Sequence, residues 1–140
     1  LNVARKQEQI YNQYHEAIMV EMIQRAAEFA SRRPPGDKRR YQIAAVGITP
    51  EGGVYHARNL AYHFSEDDQL SFRKEPSAHA EFKLARALSK GSIVYVARVL
   101  KSGGLAIAKP CPMCMIALKA KQVKRVYYTI DDHSYGVIEP

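Results

Sequence analysis

The chain has 140 residues, enough for one domain with a real hydrophobic core and no need of staples. Its 46% hydrophobic and 25% charged composition is that of an ordinary globular protein. No apolar run approaches the roughly 20 residues that span a bilayer, and no signal-peptide core is visible, so no membrane role is expected and the cytoplasm is the expected compartment. The formal net charge of +7 gathers at Arg32, Arg33, Lys38, Arg39 and Arg40 and again at Lys119, Lys121, Lys124 and Arg125, which suits an anionic partner but equally a merely basic surface.

Residues 3–31 lack Pro and Gly. Within them Tyr11, Tyr14, Ile18, Met22 and Ala26 recur at three- and four-residue spacing, which predicts one amphipathic helix, stopped by Arg32-Arg33-Pro34-Pro35-Gly36. Residues 41–48 and 54–60 read as strands joined by the hairpin connection Thr49-Pro50-Glu51-Gly52-Gly53. A polar stretch over 61–75, with Glu66-Asp67-Asp68, reads as a loop. Ser77 then suits the N-cap of a helix to about residue 89, with Leu84, Ala85 and Leu88 facing inward. Residues 93–100 form a β-rich strand, Lys101-Ser102-Gly103-Gly104 a turn, and 105–108 a short return strand. A helix over 111–120 and a strand over 124–130 follow. Strands alternating with helices after the first hairpin argue an α/β domain in which helices cover a mixed sheet. The expected division is a single domain over 1–140, with the N-terminal helix and the start of the basic linker in 1–33 and the core in 41–130. The chain begins at Leu1 rather than Met, so a segment of a longer product is expected.

The chain has two cysteines, and both lie in Pro110-Cys111-Pro112-Met113-Cys114. A disulfide framework would spread its cysteines, so this is either a redox pair or half of a metal site. His79-Ala80-Glu81, thirty residues upstream, tips the balance towards metal. Cys111 and Cys114, three apart in a first helical turn, can aim both sulfurs at one ion. His79 and Glu81, two apart, do not face each other on a helix. They therefore divide the labour: His79 reaches the metal and Glu81 stands beside the water on it. Helix starts at both motifs also favour thiolate over thiol. A purely structural zinc site would want a fourth protein ligand, and His15, His56, His63 and His133 show no such spacing.

The order H-x-E followed by P-C-x-x-C is the signature of zinc nucleobase deaminases. On these residues the chain resembles the cytidine deaminase superfamily over about 41–130. The His-Cys-Cys set is similar to the branch that holds deoxycytidylate deaminases, tRNA adenosine deaminases and polynucleotide cytidine deaminases. Ala117-Leu118 and Val126-Tyr127-Tyr128 add similarity to tRNA adenosine and guanine deaminases. The resemblance implies a three-layer α/β/α fold, with a mixed sheet of about five strands and helices on both faces. It implies one Zn²⁺ per chain held by His79, Cys111 and Cys114 with water in the fourth position, and Glu81 as the proton shuttle. Metal-bound hydroxide would then displace the amine of the base. Asn59 matches a substrate-contacting asparagine, the alternative being a turn residue that satisfies local backbone. The Ala80 backbone N–H is a candidate partner for the base carbonyl. His133 and Tyr135 are candidates for shaping the base pocket, against the alternative of a solvated turn. Relatives are commonly dimers or tetramers, so a homo-oligomer is implied as well.

Two features depart from that pattern. Residues 100–109 make a hairpin excursion before Pro110. The ten residues after Ile130 are too few for the helix and last strand of polynucleotide-acting members, and a final strand would fall at 137–139. The favoured reading is hydrolytic deamination of cytosine in a nucleotide or single-stranded nucleic acid. Adenine or guanine deamination is the runner-up within that chemistry. A non-catalytic zinc-bearing module that binds nucleic acid and a redox C-x-x-C protein are the readings from other classes.

Overall fold

The computed structural model describes residues 9–11, 17–32, 41–59 and 79–140. The 61–75 loop, Ser77, and Arg33, Lys38, Arg39 and Arg40 lie outside the described residues. The elements are β1 (Gln9–Tyr11), α1 (Ala17–Ser31), β2 (Tyr41–Ile48), β3 (Val54–Arg58), α2 (Ala80–Ala85), β4 (Ile93–Leu100), β5 (Leu105–Ala106), α3 (Pro112–Ala120), β6 (Arg125–Thr129) and β7 (Tyr135–Ile138).

The sheet runs β1-β7-β6-β4-β2-β3, with β5 on β4 outside that path. Only β4 and β6 pair in parallel; the other pairings are antiparallel, so the sheet is mixed. β4 is the spine. Its run Ile93-Val94-Tyr95-Val96-Ala97 is apolar on both sides because both faces of the sheet are covered. Period-two alternation sorts the side chains. Ala45, Val94, Val96, Val126 and Tyr128 face α2 and α3, where they meet Leu84, Leu88 and Leu118. Val46, Tyr95, Ala97 and Tyr135 face α1, where they meet Met19, Met22, Ile23 and Ala26. The result is the three-layer α/β/α arrangement, with more strands than the five expected.

The N-terminal segment differs from the single helix that its spacing predicts. Gln9–Tyr11 is a strand, pairing with β7 in the register Ile10 opposite Gly136, and the helix starts only at Ala17. An edge strand exposes a row of unpaired backbone groups, and β1 supplies partners for one edge of β7. The buried stripe of α1 is Met19, Met22, Ile23, Ala26 and Ala30. The helix after His79 is also shorter than predicted. It ends at Ala85, and N–H groups of Arg86, Ala87 and Leu88 then reach carbonyls three residues back, tightening the chain towards Ser92.

The hairpin turn from β2 to β3 is as read. Thr49 and Gly53 exchange backbone and side-chain hydrogen bonds, and Gly52 takes φ +94°, which glycine adopts without strain. Gly136 meets a different need. A Cβ there would fall 2.2 Å from the Tyr128 ring, which lies across β7 at that point. The last strand is Tyr135–Ile138, an antiparallel hairpin partner of β6. Its turn is held by Asp131, whose Oδ1 accepts from the His133 and Ser134 N–H groups and the Ser134 hydroxyl at 2.8–2.9 Å. These bonds hold the exposed Asp131 carboxyl below its usual range. Among the described residues no helix is long and apolar enough to cross a membrane.

Candidate metal centre

Connectivity brings the two motifs to one end of the sheet. α2 leads down into the start of β4 and α3 into the start of β6, and these two strands are parallel. Both helix N-termini therefore lie at the carboxyl ends of the parallel pair, where α/β sheets commonly place ligands. The opposite ends of the helices are tied together. The Gly91 N–H donates to the Gln122 carbonyl at 2.9 Å, and the Lys124 N–H to the Ser92 carbonyl at 2.8 Å. Buried Ser92 adds a hydroxyl bond to the Ser89 carbonyl at 2.7 Å. This tie fixes how far one helix slides along the other.

His79 and Cys111 are the N-cap residues of α2 and α3, both with extended backbone. The His79 side chain makes no cap bond, which leaves the ring for other use. Pro112, with no N–H to lose, opens α3, while Cys111 Sγ accepts from the Cys114 N–H at 3.5 Å. His79 Nδ1 lies 3.5 Å from Cys111 Sγ and 3.5 Å from Cys114 Sγ, and the three ligand atoms are all within 4.8 Å of one another. Zinc bond lengths of about 2.3 Å to sulfur and about 2.0–2.1 Å to nitrogen, at a tetrahedral angle, put sulfur and nitrogen roughly 3.5 Å apart. The donor set therefore fits a metal ion, and two thiolates with an imidazole suit zinc. No fourth protein donor joins the group among the described residues.

Buried Cys114 has its thiol pushed well above the usual range by burial first, and then by the Glu81 carboxylate and by Cys111. The Phe82 N–H pulls the other way. The thiolate preference expected from the helix starts is thus outweighed at Cys114 by desolvation. A divalent cation held there would supply the missing compensation, coupling its binding to thiol deprotonation. Glu81, on the first turn of α2, is 5% exposed, and burial pushes its carboxyl up to about 7 while its own backbone N–H opposes the shift. A buried carboxyl next to a buried sulfur stabilises nothing in a core. It is a position that packing alone would give to an apolar residue.

The other site candidates are scattered more widely. Asn59 sits half-buried just beyond β3. Its Oδ1 accepts from the Ile43 N–H at 3.1 Å and its own N–H donates to the Ile43 carbonyl, which extends the β2–β3 ladder by one residue. Ala80 is fully buried as the first residue of α2. His133 is exposed in the turn after β6, at the same end of the sheet as the cluster. Tyr135 is not brought to the cluster. It is a core residue on the α1 face, tilted against Tyr127 at 6.3 Å, whereas the metal donors belong to the helices of the other face.

Sequence reasoning missed Thr129. It is fully buried and joins three strands: its hydroxyl donates to the Ala106 carbonyl at 2.7 Å and accepts from the Arg98 N–H at 3.2 Å. Its carbonyl takes the Ala108 N–H at 2.8 Å. These bonds fold the 100–109 excursion back beside β6 and deliver the chain to buried Pro110 and so to Cys111. One threonine at a strand end carries no signal of such a task.

No protein-family model matches the chain, and no curated protein matches it. The geometry therefore stands on its own.

Proposed function

We propose that the chain is a zinc-dependent hydrolytic deaminase of the cytidine deaminase-like superfamily, acting on cytosine in a nucleotide or nucleic acid. The observation that carries this reading is the buried Glu81 carboxyl on the helix turn that begins at a metal donor. A structural staple needs His79, Cys111 and Cys114 but has no use for that acid. A redox pair needs the cysteines but neither His79 nor Glu81.

His79, Cys111 and Cys114 would hold the ion. Zinc bound there supplies Lewis acidity that brings the ionisation of water close to neutral pH. Glu81 takes a proton from the attacking water and delivers it to the ring nitrogen beside the amine-bearing carbon. A second transfer through the same carboxyl protonates the departing amine. A carbon–oxygen bond replaces the carbon–nitrogen bond, with water consumed and ammonia released. The Asn59 oxygen is committed to the Ile43 N–H, so the group it can offer a substrate is its amide NH₂.

The test is a mass-spectrometric screen of zinc-loaded protein against cytidine, deoxycytidylate, adenosine, guanine and single-stranded DNA and RNA. A gain of one mass unit per amino base supports the reading and names the base. Glu81→Ala should abolish it with zinc still bound. Bound zinc with no turnover on any of them, or turnover undiminished in the variant, refutes the mechanism.

A further inference from the structure

Outside the metal centre, the described residues concentrate unusual contacts at the β3 edge of the sheet, at the same end as the donors. The Arg58 guanidinium lies 4.9 Å from the centroid of the Phe29 ring and donates to the Arg32 carbonyl. Lys83, on α2, reaches across the edge and donates to the Arg58 carbonyl at 3.1 Å. His56, edge-on to Phe29 at 5.2 Å, completes the group. Arg58 and Lys83 are both half-buried, so they are held heads rather than freely swinging ones.

Among the described residues, the partners of Arg58 and Lys83 are backbone carbonyls and the Phe29 ring. On α1, Arg25 and Glu21 form an ion pair at 3.8 Å. Among the described residues Arg32, Arg58 and Lys83 form no ion pair, and Glu28 of α1 is exposed. The local field is positive: after burial, the charges of Arg25 and Arg32 lower the pKa of His56, and that of Arg58 lowers Lys83.

We propose that Arg32, Arg58 and Lys83 form a phosphate track over the β3 edge that holds a single-stranded nucleic acid and leads it to the metal centre. Placement selects a strand over a lone nucleotide. Arg32 follows α1 on one face of the sheet and Lys83 rides α2 on the other, so one phosphate cannot serve both, whereas a phosphodiester chain crossing the edge can. Direction follows from α2. The Lys83 N–H donates to the His79 carbonyl, so the track ends one helical turn from a metal donor. Phe29 holds the Arg58 guanidinium by cation–π contact, and the N–H groups not donating to the Arg32 carbonyl remain for phosphate oxygens. The proposal rests on the deaminase reading only for the purpose of the grip.

Fluorescence anisotropy with a labelled oligothymidylate tests it, because thymine has no exocyclic amine and cannot be turned over. Affinity should fall steeply with salt. In Arg58→Gln and in Lys83→Gln the slope of log affinity against log salt should become shallower by about 0.7 per lost contact. Arg58→Lys and Lys83→Arg, which keep the charge, should keep the slope and show that the fold is intact. Lys119→Gln, which removes a charge from the exposed end of α3, should leave the slope unchanged. Equal slopes in all five variants overturn the track. So does thymidine monophosphate competing as well as the oligomer, since that outcome describes a one-phosphate pocket. Loss of deamination with strand binding retained would fault the enzymatic reading and spare the track; the reverse would spare the enzyme.

Discussion

The two faces of the sheet are built from the same strands and do different work. The α1 face is a large-residue core, with Met19, Met22, Tyr95, Tyr127 and Tyr135 and a stacked Tyr95–Tyr127 pair at 5.1 Å. The α2/α3 face draws mostly small side chains from the sheet, Ala45, Val94, Val96 and Val126 beside one large Tyr128, and buries Glu81 and Cys114 near them. Gly47 belongs to this layer, since a Cβ there would sit 2.5 Å from Leu88. One face maximises apolar burial, and the other gives up part of it to set a sulfur and an acid beside each other. Perturbing each face should therefore fail in a different way.

The largest effect is expected at Glu81. Glu81→Gln should lower turnover by about 10²–10⁴-fold, the usual scale for losing a positioned acid-base group, with zinc content unchanged. Relief of a buried carboxyl should at the same time leave thermal stability unchanged or raise it. A drop in melting temperature together with zinc loss would move Glu81 to a structural role.

Met22→Ala, on the other face, should cost about 2–5 kcal/mol in urea unfolding, by cavity formation. Zinc stoichiometry of the folded fraction should stay at one per chain, and its loss would mean that the two faces are not independent. Zinc removal itself should act on the α2/α3 side. At free zinc a hundredfold above its dissociation constant the ion adds about 2.7 kcal/mol, and a chelator should take that away with hydrogen-exchange protection lost first in α2 and α3. Uniform loss of protection would contradict the comparison.

Thr129→Val keeps the shape and removes the hydroxyl that serves Ala106 and Arg98. Leaving those groups unmet should cost about 1–3 kcal/mol and weaken zinc binding through the misplaced Cys111. Equilibrium unfolding and zinc competition measured on the same variant would separate the two consequences. The smallest effect should come from Asp131. Its folded pKa lies below the unfolded value, so its contribution is present above the unfolded pKa and disappears as pH falls through the folded one. Asp131→Asn should therefore flatten the acid limb of the stability curve and change little at neutral pH.

Much of this was legible in the chain. Tyr41–Ile48 and Ile93–Leu100 have the bounds that the sequence predicts, because long runs of β-formers bounded by Gly and Pro leave little choice. Pro110 and Pro112 fixed the entry to α3, and the spacing of the cysteines fixed their shared direction. The N-terminal strand was not legible, since its helix-like spacing is overridden by a partner more than 120 residues away, at Tyr135–Ile138. Tyr135 misled for a related reason. Its place in the sequence suggests a rim, while strand alternation turned it into the α1 core.

The sequence by itself settled which atoms can meet a metal: one imidazole and two thiols, at helix entries, with a carboxyl two residues from the first. Ligand chemistry depends on residue type and local spacing, and both are written in the chain. Only the tertiary structure decided that His79 and the cysteines stand 3.5 Å apart, that Glu81 is buried beside them, and that Arg32, Arg58 and Lys83 share one edge. Those distances depend on how β4 and β6 pair and how α2 and α3 are tied at Ser92 and Gln122, contacts between segments that no local pattern specifies.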